Sequence, residues 1–275
     1  MGGVGDVARS ARTGEACEDV PSSGFASKFR GGGALASNPR AWWLLLSGIT
    51  VLAIAIRLLV ISMVFPVEVT GDEPYYFEMG AQLAAGNGHV AASNGARAAW
   101  PPGYAFFLAA FMDVDSPGVT AEAVLWDLMV VQAVLGGVLV FLTGLLAAAL
   151  FDHKTGLLAA GVAALYPTFV AFSHYLFSET LFSALLLVAL LGVLQWPERR
   201  RPGLAFGTGL VFGLAALTRE VAIPIAVGCV LWWILRMTPG IRRIAVSHAV
   251  LLFLGLAVVV APWTLRNYLI FDRLV

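Results

Sequence analysis

Apolar run length constrains this chain more than any other feature. About seven stretches reach or approach the roughly 20 residues that a helix needs to cross a hydrocarbon core of about 30 Å. They lie at 42–65, 122–150, 156–175, 178–196, 203–219, 221–236 and 244–262. Within lipid, each backbone N–H and C=O must find its partner inside the segment, so the stretches are read as helices. The expected fold is all-α: a polytopic membrane bundle of about seven transmembrane helices. The composition agrees, because 59% of residues are hydrophobic and only 12% are charged. A soluble domain of this size needs far more charge to cover its surface. Cys17 and Cys229 are the only cysteines, too few for a disulfide framework or a cysteine metal cluster.

Residues 1–40 are rich in Gly, Ser and Ala and carry mixed charges without apolar periodicity. They are read as a disordered tail preceding a transmembrane module at 41–275. No apolar core of a cleavable signal peptide occurs before Trp42. Basic residues near the helix ends set the orientation. Lys28, Arg30, Arg40, Lys154, Arg199, Arg200, Arg201, Arg236, Arg242 and Arg243 gather on one side, against Arg97, Arg219, Arg266 and Arg273 on the other. The positive-inside rule therefore predicts a cytoplasmic N-terminus in the plasma membrane, with the loop after the first span outside.

That loop, 66–121, is the only long extramembrane segment within the module, and such loops are usually functional. It holds Glu68, Asp72, Glu73, Glu78, Asp113 and Asp115. The apolar piece Tyr104–Met112 is too short to span, so short interfacial helices are expected here, with Tyr75, Tyr76, Trp100 and Tyr104 near the interface. Asp72-Glu73 admits two readings: a general base for an acceptor hydroxyl, or a helix N-cap before Pro74. Ser178-Glu179 likewise reads as a cap with a favourable first-turn acid, or as an ionisable group facing a cavity. Thr218-Arg219-Glu220 interrupts two apolar runs, and charges in such places commonly mark functional cavities. Arg57 lies about 12 Å inside the outer end of the first span, and must snorkel, pair with a carboxylate or face a polar groove. Gly203/Gly207 and Gly209/Gly213 suit close helix packing through small faces.

The motifs in order carry a resemblance. Gly71-Asp72-Glu73-Pro74-Tyr75-Tyr76, Ala85-Gly86-Asn87-Gly88, Pro101-Pro102-Gly103-Tyr104, Phe177-Ser178-Glu179-Thr180-Leu181-Phe182, Gly213-Leu214-Ala215-Ala216-Leu217-Thr218-Arg219 and Ala261-Pro262-Trp263-Thr264-Leu265-Arg266-Asn267-Tyr268 succeed one another from about Trp42 onward. This succession resembles bacterial GT-C glycosyltransferases, in the branch of protein O-mannosyltransferases and aminoarabinose transferases. The resemblance implies transfer of a sugar, with inversion, from a polyprenyl-phosphate carrier to a lipid, glycan or protein hydroxyl at the outer face. It implies Asp72 as catalytic base with Glu73 as companion. Arg219, together with Arg57, Arg97, Arg266, Glu179 and Tyr104, would form the carrier-phosphate and substrate site.

Membrane lipids are expected partners and nucleic acid is not. A divalent metal is admissible at His89, His174 and Glu179. Asp113-Val114-Asp115 imitates the D-x-D of nucleotide-sugar enzymes, but nucleotide sugars are cytoplasmic and this segment is read as outside. Family members continue past the Pro-Trp-Thr-Leu-Arg-Asn-Tyr segment with more helices, so the chain reads as the N-terminal module of such an enzyme. The alternatives are a non-catalytic module that binds lipid carriers or membrane partners, and a secondary transporter fragment. Against the transporter stand the absence of an inverted repeat and the few polar residues at mid-membrane.

Overall fold

The computed structural model describes residues 39–66, 70–113, 119–195, 202–236 and 239–272. The expected tail therefore lies almost wholly outside the described residues, as do Glu68, Asp115, Arg199, Arg200, Arg201 and Arg273. The described residues form helices and no strands: α1 Pro39–Val64, α2 Glu73–Ala84, α3 Pro102–Ala109, α4 Ala121–Leu150, α5 His153–Leu165, α6 Pro167–Ala171, α7 Glu179–Leu194, α8 Pro202–Thr218, α9 Ala222–Arg236 and α10 Pro239–Phe271. Three of these qualify as spans by length and composition: α1, α4 and the Arg242–Phe271 part of α10. Helices α7, α8 and the Ala222–Leu235 part of α9 are apolar but shorter. Leu44, Leu59, Met63, Leu158, Leu235 and Leu269 stand more than half exposed on the helix flanks, a distribution that water would penalise and lipid accommodates. The protein is a membrane helix bundle.

The apolar run read as one span at 156–175 is broken. Helix α5 stops at Leu165, Tyr166 turns to an extended conformation, and Pro167 opens the single-turn α6. Proline has no N–H for the preceding turn and disfavours helical geometry in the residue before it. By contrast α10 continues through Pro262 for two more turns.

Helices α1, α4 and α5 bury Trp42, Leu46, Val140 and Ala160 between them. Helices α7 to α10 bury Phe212, Leu252 and Trp233 in a second core. Within it α8 and α10 approach closely: a Cβ at Gly209 would collide with the backbone carbonyl of Leu252. Gly213 likewise faces Val259 and Leu256, whereas Gly203 and Gly207 look onto open space. Small-residue packing thus holds for one of the two expected glycine pairs.

Residues 70–113 carry α2 and α3 as short helices in the long loop, as expected. They pack through Tyr76, Met79, Tyr104 and Leu108 onto Leu128 of α4 and onto Leu176. Gly103 sets α3 against the end of α8, since a Cβ there would lie 2.8 Å from the Leu217 carbonyl. The bundle therefore has two distinct ends. At one, the Trp42 indole donates to the His153 carbonyl at 3.0 Å. At the other, the long loop meets the 172–179 connector, the end of α8 and the end of α10.

Candidate active site at the loop end of the bundle

Gly71 adopts φ +61°, a conformation costly for residues with a Cβ, and this turn delivers Asp72 to the start of α2. Asp72 occupies the N-cap position with helical torsions, and its side chain makes no capping hydrogen bond. It is exposed. Asp72 thus takes the N-cap position before Pro74, but its carboxylate caps no backbone N–H. Thr120 and Asp152, which do cap their helices, accept from Ala123 N at 3.2 Å and Thr155 N at 2.8 Å.

Glu73 is the opposite case, with 0% exposure. Its Oε1 accepts the Leu176 amide at 2.7 Å, while Oε2 accepts the Thr70 amide at 2.8 Å and the Thr70 hydroxyl at 3.4 Å. Backbone N–H groups thus satisfy a buried carboxylate and fasten α2 to the connector before α7. A Cβ at Gly71 would come within 4.0 Å of the Phe177 ring of that connector.

The connector ends at Ser178 and Glu179. Ser178 sits at the N-cap of α7, also with helical torsions and without a capping bond. Its hydroxyl instead accepts from Arg219 Nη1 at 3.4 Å and lies beside the Tyr76 phenol. Arg219 forms an ion pair with Glu179 at 2.6 Å, and the two side chains are 41% and 38% exposed. Burial raises the Tyr76 phenol above its ordinary value, the Ser178 hydroxyl opposes this, and the charges of Asp72, Arg219 and Glu179 all act on the same hydroxyl. Asp72, Glu179 and Arg219 are thus brought together around Tyr76, although 147 residues separate the first from the last in the numbering.

Tyr76 and Ser178 were not read as site residues from the sequence. Tyr76 stood as an interfacial aromatic and Ser178 as a cap. The available signal was spacing: Tyr76 lies four residues after Asp72, on the same helical face. Tyr104 is fully buried behind Tyr76, with ring centroids 5.0 Å apart edge to face. Burial, and then the neighbouring Tyr76 phenol and the charges of Glu73 and Glu179, push its phenol well above the ordinary range.

Arg97 and Arg266 lie in a separate group. Arg266 Nη1 donates to the Arg97 carbonyl at 2.8 Å and to Asn267 Oδ1 at 2.8 Å, and Nη2 donates to the His89 carbonyl at 3.1 Å. Its guanidinium also lies 4.6 Å from the Trp263 ring centroid. This arginine staples the 89–97 loop to α10 beside a cavity of about 360 Å³ lined by His89, Phe106, Leu217 and Trp263. The Arg97 side chain is exposed. Arg57 is completely buried between α1, α4 and α5, and its Nη1 donates to the carbonyls of Ala53 and Ala164. Among the described residues no three His, Cys, Asp or Glu side chains converge as metal ligands. Glu179 faces Arg219, and His89 packs on Trp263.

The fold and this end of the bundle define a polytopic membrane protein with a carboxylate–guanidinium cluster where loop helices meet the spans. Residues 99–265 match the family model of dolichyl-phosphate-mannose-protein mannosyltransferases, and the chain belongs to that family. It is therefore a membrane glycosyltransferase by family, of the kind that uses polyprenyl-phosphate-linked sugars. The matched stretch contains Tyr104, Glu179 and Arg219, and it begins after Asp72 and Glu73. Comparison with curated proteins gives no match, and comparison with solved structures gives none.

Proposed function

We propose that this protein transfers a sugar from a polyprenyl-phosphate carrier to a hydroxyl acceptor at the outer face of the plasma membrane. The observation that carries the reading is an exposed Asp72 carboxylate and a half-exposed Arg219, held by Glu179, whose charges both act on Tyr76. An acceptor hydroxyl gives its proton to Asp72 as its oxygen attacks the anomeric carbon. The bond from that carbon to the phosphate oxygen breaks with inversion, and polyprenyl phosphate leaves. Arg219 offsets the charge that develops on the departing phosphate. Glu179 orients the guanidinium, and Glu73 holds the loop that presents Asp72. Arg97 and Arg266 sit at the neighbouring loop–α10 junction, where they would attract an anionic carrier to this end of the bundle.

The test is transfer from a radiolabelled polyprenyl-phosphate sugar to a hydroxyl acceptor, with binding of bare polyprenyl phosphate measured in parallel. Asp72→Asn keeps the shape but not the basicity, so turnover should fall on the order of 10²–10⁴-fold with carrier affinity nearly unchanged. Arg219→Ala should weaken carrier binding by roughly 10-fold or more, the size of one charge-assisted contact. Carrier binding without any transfer by the wild type would favour the non-catalytic carrier-binding module. Near-normal turnover with Asn at position 72 would remove Asp72 from the chemistry.

A further inference from the structure

Arg57 is a guanidinium with no exposed surface inside a membrane bundle, and its geometry explains why the bundle keeps it. Its Nη1 donates to the Ala53 carbonyl of its own helix at 2.9 Å and to the Ala164 carbonyl of α5 at 3.3 Å. Ala164 belongs to the last turn of α5, which ends because Tyr166 is extended and Pro167 lacks an N–H. The carbonyls of a last turn have no intrahelical donor and carry the negative end of the helix dipole. A fixed cation at that point satisfies both needs.

Helix α4 is shaped to admit it. A Cβ at Gly136 would lie 2.6 Å from Arg57 Nε and 2.9 Å from its Cδ, with Ser173 Oγ at 3.4 Å from the same point. One turn earlier on α4, the buried Gln132 donates Nε2 to the carbonyls of Tyr175 at 3.2 Å and Phe177 at 3.4 Å. Above them, the Glu73 carboxylate accepts the Leu176 amide. Arg57 of α1 thus holds the end of α5, while Gln132 of α4 and Glu73 of α2 hold the connector that leads on to Ser178 and Glu179.

We propose that Arg57 is a positioning residue: with Gly136 as its notch, it anchors the broken end of α5 and so fixes the 173–178 connector that aims Glu179 at Arg219. This replaces the expected phosphate contact of Arg57, since a carrier phosphate would have to reach a guanidinium that has no open surface. The anchoring stands on geometry alone. Only its consequence for turnover rests on the proposed transfer reaction.

Hydrogen exchange by mass spectrometry on the full chain in lipid nanodiscs tests it, using Arg57→Met, Gly136→Ala, the double variant and Arg57→Lys. Peptides covering 173–178 should exchange on the order of 10-fold faster in Arg57→Met and in Gly136→Ala, as expected for loss of a buried charged hydrogen bond. Peptides from the α8–α10 contact should not change, which separates local release from general unfolding. Adding Gly136→Ala to the Arg57→Met background should accelerate little further, because the hydrogen bond to the Ala164 carbonyl is already lost. Arg57→Lys should restore part of the protection, since an ammonium still supplies a donor.

Where Arg57→Met yields no folded protein, Gly136→Ala carries the same comparison. Unchanged exchange at 173–178, or an equal rise at α8–α10, overturns the proposal. In transfer assays Arg57→Met should lower kcat while the Kd for bare polyprenyl phosphate stays within about twofold. A large loss of that affinity with an intact connector would return Arg57 to the phosphate site. An inactive wild type would instead refute the transfer reaction and leave the exchange result standing.

Discussion

Asp72 and Glu73 are neighbours in the chain with the same functional group, yet they occupy opposite environments. One is exposed with no capping bond; the other is fully buried and receives two amides and a hydroxyl. Their division of labour follows from that difference. Glu73→Gln keeps one carbonyl oxygen but turns an NH2 toward either the Leu176 or the Thr70 amide, leaving a buried N–H without an acceptor. That should cost about 1–3 kcal/mol of stability in denaturation measured in detergent, with a smaller loss of turnover than Asp72→Asn produces. A Glu73→Gln protein as stable as the wild type would show that the carboxylate does not hold the connector. The adjacent acidic pair was legible in the sequence, but which member is free was not. That depends on the Leu176 amide, which lies 103 residues away.

At the scale of elements, hydropathy located the apolar runs because burial in lipid demands length and little charge. It merged α5, α6 and the following connector into one stretch, because 156–175 stays apolar on average while Pro167 breaks the hydrogen-bond ladder. The loop helices were also legible, since an apolar piece too short to span still has to pack, and α2 and α3 do so around Tyr76 and Tyr104. Glycine spacing was less informative. Gly203/Gly207 and Gly209/Gly213 share one pattern, but only the second pair faces a neighbouring helix, because spacing does not reveal which side of α8 meets α10. Gly209→Val should therefore push α8 from the Leu252 backbone and cost about 1–3 kcal/mol or more. Gly207→Val adds its methyls to open space and should stay within about 0.5 kcal/mol. Thermal unfolding in detergent compares the two directly, and equal effects would contradict the close α8–α10 approach.

At the scale of the whole molecule, the two ends of the bundle differ in their charged groups. Its loop end gathers Asp72, Glu179, Arg219 and Arg266, while the other end carries Trp42 stacked on His153, with Lys154 and Arg243 exposed at the starts of α5 and α10. The helices alternate in direction, so their ends sort into two groups. In the proposed orientation the group with fewer Lys and Arg faces outside, as the positive-inside rule expects. This assignment matters chemically, because a polyprenyl-linked donor presented at the outer leaflet reaches Arg219 only if the loop end faces that way. Single cysteines at Asn94, Lys154 and Arg243, all exposed positions, report the orientation in a background lacking Cys17 and Cys229. A membrane-impermeant thiol reagent applied to intact cells should label position 94 alone. Positions 154 and 243 should react only after the membrane is permeabilised. Labelling of 154 or 243 in intact cells, with 94 protected, would invert the molecule and place the Asp72–Arg219 cluster in the cytoplasm. The donor would then have to be presented at the inner leaflet, and the proposed outer-face transfer would fail even with every contact in the site intact.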